Sequence, residues 1–239
     1  MNPLLRRSAA HVFVTAIDAP LLTDDDHHHL ARVLRLRAGE QVSVSDGSGS
    51  WRMCRFADSP VLDVDSAVEH IDRAMPLLTI GFALPKGDRP EWIVQKLTEI
   101  GIDHIVLLHT DRSVVRWQVD RAERSLAKLH KVAREASMQS RRVWLPTISG
   151  PLSFAAVTGA GVGIGAGIGI GIGIAEPQGA AVSLTTPTVL IGPEGGWAPH
   201  ELSAQPTHVG LGKSIMRVET AALVAAAHLS ALRDGATTF

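Results

Sequence analysis

One cysteine, Cys54, is all that the 239 residues contain. A single thiol forms no intramolecular disulfide and supplies no cysteine-rich zinc site, so a reducing compartment is expected, with the cytoplasm as the natural location. An excess of charge of either sign is lacking too, since 23 Lys/Arg stand against 24 Asp/Glu. Any binding to a polyanion must come from a local basic patch, because the chain as a whole offers no attraction. A long unbroken apolar run is also missing. The longest apolar tract, Gly159 to Ala175, carries glycine at alternate positions over much of its length and is too short to span a bilayer, so no membrane partner is expected. Met1 to Arg7 lead into no apolar run of signal-peptide length before the polar stretch Thr23 to His29, and no export signal is expected.

What is present is a hydrophobic content of 45%, enough for one substantial core and a smaller second one. The first seventy or so residues hold short strand-like runs at Val12 to Ala16, Gln41 to Ser45, Trp51 to Phe56 and Val61 to Val68. Among them lies one helical segment, His27 to Leu36, with Asp24, Asp25 and Asp26 as candidate caps. Asp46-Gly47-Ser48-Gly49 reads as a hairpin turn between two of the strands. Several short strands around one helix suggest a small β-barrel over residues 1–72.

From about residue 73 strands alternate with helices, the pattern of an α/β domain with a largely parallel sheet, taken here as 73–239. Strands are expected at Leu77 to Leu84, Ile105 to Leu108, Thr188 to Ile191 and Val209 to Leu211. Helices are expected at Pro90 to Ile100, Val119 to Ser140 and Val218 to Arg233, the last stopped by Gly235. The middle helix sets Leu126, Leu129, Ala133 and Ala136 on one face and Arg121, Arg124, Lys128 and Lys131 on another. Two strands run into glycine-containing loops, and ligands of open α/β sheets bind at the carboxyl ends of strands.

Several motifs fail on spacing. Glycines between Gly159 and Gly173 fall on odd positions, so only Gly161 to Ala166 fits the looser dinucleotide fingerprint, and it lacks the strand-turn-helix setting; the tract reads as a low-complexity insertion whose end, Ile168 to Ala175, is drawn into a strand. Gly212-Lys213-Ser214 resembles the end of a phosphate-binding loop, but Thr207 stands where the earlier glycine is needed. Consecutive histidines, His27 to His29, point in different directions on a helix and cannot converge on one ion, so no metal is expected. Nine Lys/Arg lie between Arg112 and Arg142, beside Gln139 and Trp144, and this local excess in a chain of no net positive charge suggests phosphate contact. The strongest local signal is Gly192-Pro193-Glu194-Gly195-Gly196 directly after a strand. Its glycines bring backbone close to a ligand, and Glu194 among them suits a cationic or hydrogen-bond-donating ligand better than phosphate.

These residues resemble a known family, the small-subunit (16S) ribosomal RNA uracil-N3 methyltransferases of the SPOUT superfamily. In the first domain the likeness is carried by His28-His29-Leu30, Val33-Leu34-Arg35, Gly39-Glu40 and Asp46-Gly47. In the second it is carried by Lys96 to Gly101, Arg112-Ser113, Glu135-Ala136 with Gln139 to Arg142, Gly192 to Gly196, and Leu211-Gly212 followed by Ile215-Met216-Arg217 and Glu219-Thr220-Ala221. Met216 stands where the family usually has leucine, and the arginine common before the first strand's phenylalanine is absent, since His11-Val12 precede Phe13.

The resemblance implies a PUA-like RNA-binding β-barrel followed by an α/β domain with a C-terminal trefoil knot at about 188–233. It implies a homodimer, and a bent S-adenosylmethionine held by loops around Ile174 to Pro177, Gly192 to Gly196 and Leu211 to Arg217. The cofactor-binding residues so implied are Ile191, Gly192, Pro193, Glu194, Gly195, Gly196, Leu211, Gly212, Ile215, Met216 and Arg217. The substrate implied is 16S rRNA or the small ribosomal subunit, with Arg35, Lys86, Arg112, Arg134, Gln139, Arg141 and Arg142 as candidate RNA contacts. Methylating a uracil imide nitrogen requires removing its proton and favouring the resulting anion. Arg217 or Arg112 is the candidate cation near a uracil oxygen, and Glu194 or Glu219 the candidate proton acceptor. Other readings are a SPOUT methyltransferase for another base or for ribose, and a non-catalytic RNA-binding assembly factor.

Overall fold

The computed structural model describes residues 2–159, 171–205 and 207–236. They divide into two units, one made of Met1–Arg73 with Arg134–Leu145, the other of Ala74–Ala133 with Pro146–Phe239.

In the first unit, helix α1 (Pro3–Arg7) precedes β1 (Ala10–Phe13), then α2 (Asp24–His28), β2 (Gln41–Ser45), β3 (Ser50–Ala57), β4 (Ser59–Val64) and β5 (Glu69–His70). The strands form one sheet in the order β1-β2-β3-β4, with β5 also paired to β3. Asp46 Oδ1 closes the β2–β3 turn by accepting the amides of Ser48 and Ser50 at 2.7 and 3.1 Å, and Gly47 and Gly49 take the left-handed conformations that the turn needs. Helix α2 is capped one residue earlier than expected: Thr23 Oγ1 accepts the Asp26 amide at 3.1 Å, and Asp24 to Asp26 occupy the first turn, where acidic groups favour the helix dipole. The helix continues as a π-helical stretch, His29–Val33.

Apolar residues alternate into a core of Val12, Leu22, Leu30, Val42, Val44, Phe56 and Leu62, against which Met138 packs. Sequence reading placed 134–145 in the second domain, but these residues are stitched to the first unit's sheet. Arg134 makes a two-pronged ion pair with the buried Asp26 at 2.6 and 3.0 Å. Ser45 Oγ donates to the Val143 carbonyl at 2.9 Å, and the Leu145 amide donates to Gly47 O at 3.0 Å. His11 Nε2 donates to the Arg142 carbonyl at 3.0 Å, which leaves Nδ1 to accept from Ser43 Oγ at 2.8 Å.

The second unit contains β6 (Thr79–Ala83), α3 (Arg89–Ile100), β7 (His104–His109), α4 (Val119–Ser140, whose last turns belong to the first unit), β8 (Thr147–Ser153), α5 (Phe154–Thr158), β9 (Ile172–Ala181), β10 (Thr188–Ile191), α6 (Pro199–Ala204), β11 (His208–Gly210) and α7 (Val218–Arg233). Its six strands form a parallel sheet in the order β11-β9-β10-β6-β7-β8. Strands buried on both faces read as unbroken apolar runs, which is why β6, β7 and β10 are legible as strands. Helix α7 presents Ala221, Ala222, Ala225 and Ala226 to the core, and these small side chains let it lie close against α3 and β6. Helix α3 ends at Gly101 in the left-handed conformation, as a C-terminal glycine should. Strand β8 and the short helices α5 and α6 were not anticipated. The Gly161 to Ala166 fingerprint lies outside the described residues.

Candidate active site

Because the strands of the second unit are parallel, the segments that leave their carboxyl ends emerge along one edge of the sheet. These are the loops after β6, β7, β10 and β11 and an interruption within β9. There Ile174 pairs with His208 while Ala180 pairs with Val209, so that Ala175 to Gly179 are looped out of the ladder. Gly179 and Gly210 let the two backbones touch, since a Cβ on Gly179 would lie 2.4 Å from the Val209 backbone.

The loop after β10 is braced from several sides. Gly196 takes φ +70° and donates its amide to Pro193 O at 2.8 Å, closing a tight turn. Trp197 is 3% exposed, packs on Phe154, and donates its indole N–H to Ala175 O at 3.1 Å, which ties the turn to the looped-out part of β9. A Cβ on Gly192 would stand 2.9 Å from the Trp197 ring, so glycine is what allows the indole its seat. From the loop after β7, Arg112 donates to Gly195 O at 2.9 Å. Glu201 on α6 accepts the amides of Ala198 at 2.8 Å and Asp111 at 3.1 Å. Ile191 and Pro193 are buried, whereas Glu194 and Gly195 face outward.

The loop after β11 is built differently. Leu211 and Met216 pack against the core at its two ends, and Gly212 turns the chain at φ +139° with the Met216 methyl 3.3 Å from where its Cβ would be. Between them Gly212, Lys213, Ser214 and Ile215 are exposed, Ile215 by 96%. Arg217 is exposed and occupies the N-cap position of α7. Glu219, in the first turn of α7, faces Arg89 at 3.6 Å, and its other carboxylate oxygen is buried with no hydrogen-bond partner among the described residues.

The structure therefore places Ile191 to Gly196, Leu211 to Arg217, Arg112 and Glu219 in the segments along this edge or directly after them. The candidate RNA contacts divide between the units, with Arg35, Arg134, Gln139, Arg141 and Arg142 in the first and Lys86 and Arg112 in the second. Arg134 and Arg141 are spent internally: Arg134 on Asp26 and the Phe13 carbonyl, Arg141 on the carbonyls of Met138 and Ser8 at 3.0 Å each, with burial lowering the Arg141 pKa. Arg35 is exposed at the unusual φ of +56°, Lys86 and Gln139 are exposed, and Arg142 is half-buried. The stripe of Arg121, Arg124, Lys128 and Lys131 is exposed, though Lys128 pairs with Glu91 at 2.7 Å. Of the three histidines, His27 stacks on Phe56 while His28 and His29 are exposed.

Sequence reasoning missed Trp197, Asp111, His200 and Glu201. A signal for Glu201 was there, since Pro199 at the first helical position and a glutamate three residues after Ala198 mark a helix start. Asp111, His200 and Glu201 offer donor atoms within 4.8 Å of one another, but both Glu201 oxygens already accept backbone amides, and the residue serves as a brace.

Comparison with known proteins agrees with this layout. A family model described as an RNA methyltransferase domain matches residues 73–230, and one described as an RNA methyltransferase PUA domain matches residues 22–60. Ribosomal RNA small subunit methyltransferase E of Synechocystis sp. is 34% identical over 228 residues, which cover 89% of this chain and 73% of that protein. A crystal structure of a probable rRNA-methyltransferase from Porphyromonas gingivalis is 27% identical, with a TM-score of 0.73 over 95% of this chain and 100% of its own. Ribosomal RNA small subunit methyltransferase E from Neisseria gonorrhoeae, solved bound to S-adenosyl methionine, is 24% identical and shares the fold with a TM-score of 0.76 over 93% of this chain and 97% of its own. With every strand of the larger unit, the loops at their ends and most of the closing helix inside the matched span 73–230, the chain belongs to the RNA methyltransferase family.

Proposed function

We propose that this protein transfers a methyl group from S-adenosylmethionine to N3 of a uridine in 16S rRNA of the small ribosomal subunit. The observation that carries this reading is the convergence of three backbone-rich stretches, 175–179, 192–197 and 211–217, at the ends of adjacent parallel strands. The names of the relatives support the substrate class, and the ligand of the Neisseria gonorrhoeae structure supports the cofactor.

The stretches suit that cofactor. An added Cβ would meet nothing nearer than 3.6 Å at Gly195 or 4.0 Å at Gly196, so the turn is open on that side. Backbone carbonyls and the Glu194 carboxylate favour a cationic sulfonium, while the half-buried Leu211 and Met216 offer apolar surface for a nucleobase. When bound, S-adenosylmethionine supplies an electrophilic methyl group on a sulfur that departs neutral, so the leaving group needs no metal. The protein's residues hold the uracil and favour its anion. Arg217, exposed at the start of α7, is the cation placed to stabilise the developing charge on a uracil oxygen, and Arg112, anchored on Gly195 O, fixes the turn. Glu194, exposed on the turn, accepts the N3 proton, and Glu219 orients the start of α7 through Arg89.

The reading extends to the parts of the fold that serve the RNA. We propose that the first unit closes as a PUA-like barrel and that its exposed Arg35 contacts RNA together with Lys86, Gln139 and Arg142. The C-terminal segment is proposed to be knotted, supported by the placement of β9 between β10 and the later β11. A cytoplasmic homodimer completes the proposal, with Ile215 as the apolar side chain that a second copy covers. The test is incubation of the protein with labelled S-adenosylmethionine and small subunits lacking the modification, followed by digestion and chromatography. Label in N3-methyluridine is expected; label in another base, in ribose, or in no nucleotide would overturn the assignment.

A further inference from the structure

Glu201 is 1% exposed, and a carboxylate taken so fully out of water is costly unless its charge is met by well-placed donors. The two donors it has come from two different loops. Ala198 ends the turn after β10, and Asp111 opens the loop after β7, while β6 lies between those strands in the sheet. One side chain thus bridges two loops that the intervening strand keeps apart. The residue after Asp111 is Arg112, whose guanidinium grips Gly195 O at 2.9 Å, and His200 faces the Asp111 carboxylate at 3.4 Å. The contacts form a closed circuit: Glu201 fixes the Asp111 amide, Arg112 follows from it, and Arg112 returns to the same turn whose far end Glu201 caps.

We infer that Glu201 is a positioning residue for cofactor binding, which holds the 192–197 turn in register with Arg112 so that the Gly195 and Gly196 backbone is preset for its ligand. The inference rests on the reading of that turn as part of the S-adenosylmethionine site. It also accounts for the residue type. Two N–H donors require two acceptor oxygens, and a glutamine would offer one oxygen and turn its own NH₂ toward the second donor. Preset geometry lowers the ordering cost of binding, so losing it weakens affinity more than it slows the chemical step.

The test is calorimetric titration with S-adenosylmethionine of the wild-type protein, E201Q, R112A and the double variant, alongside steady-state kinetics on the RNA substrate. E201Q is expected to bind about tenfold more weakly, the scale of one lost hydrogen bond to a charged group, with KM for the cofactor rising in step and kcat at saturation changed less than about twofold. In the double variant the two losses are expected to overlap, because both act through the same turn. Wild-type binding with E201Q unchanged, or losses that multiply independently, would overturn the positioning role alone. No binding by the wild-type protein would instead overturn the cofactor reading. Should E201Q fail to fold, amide hydrogen exchange of the wild-type protein decides: Asp111 and Ala198 amides slowed further by S-adenosylmethionine support the circuit, and amides indifferent to it refute it.

Discussion

The two units hold themselves together in different ways. The smaller one is pinned by polar contacts between residues 134–145 and the rest of the unit, namely Arg134 on Asp26, His11 on the Arg142 carbonyl and Arg141 on the Ser8 carbonyl. The larger one rests on a continuous apolar core in which Leu78, Ile80, Phe82, Ile93, Ile105 and Leu107 have no measurable exposure. Polar pins are strong only while every partner and protonation state is in place, whereas apolar packing is indifferent to pH. The unit that carries the proposed chemistry therefore sits on the less conditional foundation, even though it too has a buried ion pair, Arg233 with Asp103.

Removing one pin should expose the contrast most sharply. Arg134→Ala leaves Asp26 buried without its cation, and a loss of about 3–5 kcal/mol is expected in urea unfolding, confined to amides of the first unit. A variant as stable as the wild-type protein would show that the pair is ornamental. Acid should come next. Burial pushes the His11 imidazole from 6.5 down to about 4, so folding favours its neutral form. That contribution is complete above pH 6.5 and is lost as pH falls toward 4, at about 1.4 kcal/mol per unit and about 3 kcal/mol in all. Thermal scans across that window should show the first unit weakening and His11→Gln abolishing this part of the slope.

In the larger unit the sensitive point is steric. Gly192→Ala places a methyl against the Trp197 ring and should cost about 1–3 kcal/mol while impairing cofactor binding, measured by denaturation and calorimetry at any pH between 5 and 8. A strong pH dependence of that cost would blur the distinction between the units. Smallest of all, Ile215→Ser should change protomer stability by less than about 0.5 kcal/mol, because the side chain is 96% exposed. Sedimentation should nevertheless show the proposed dimer weakened.

These contrasts track what could be read in advance. Helices 119–140 and 218–233 and strands 41–45 and 188–191 coincide with their expected bounds because periodicity or an apolar run is a local property. Strand β8 escaped because Gly150-Pro151 within it reads as a turn. The allegiance of residues 134–145 escaped for a deeper reason: it is decided by partners such as Asp26, 108 residues away from Arg134. The site divides in the same way. Glycine loops at strand ends announce themselves locally, but the Trp197 indole on Ala175 O and the Glu201 bridge to Asp111 exist only once distant strands are neighbours.

The start of β9 is locked at Gly171. Its φ is +63°, a Cβ there would collide with the Thr185 carbonyl, and its own carbonyl accepts the Thr188 amide at 3.3 Å. Strand alignment downstream is thereby counted from this one glycine of the tract. A side chain at this one position would slide the Ala175 to Gly179 excursion away from the neighbouring turns, so the alignment of the proposed cofactor edge hangs on a residue that contributes nothing to it but its missing Cβ.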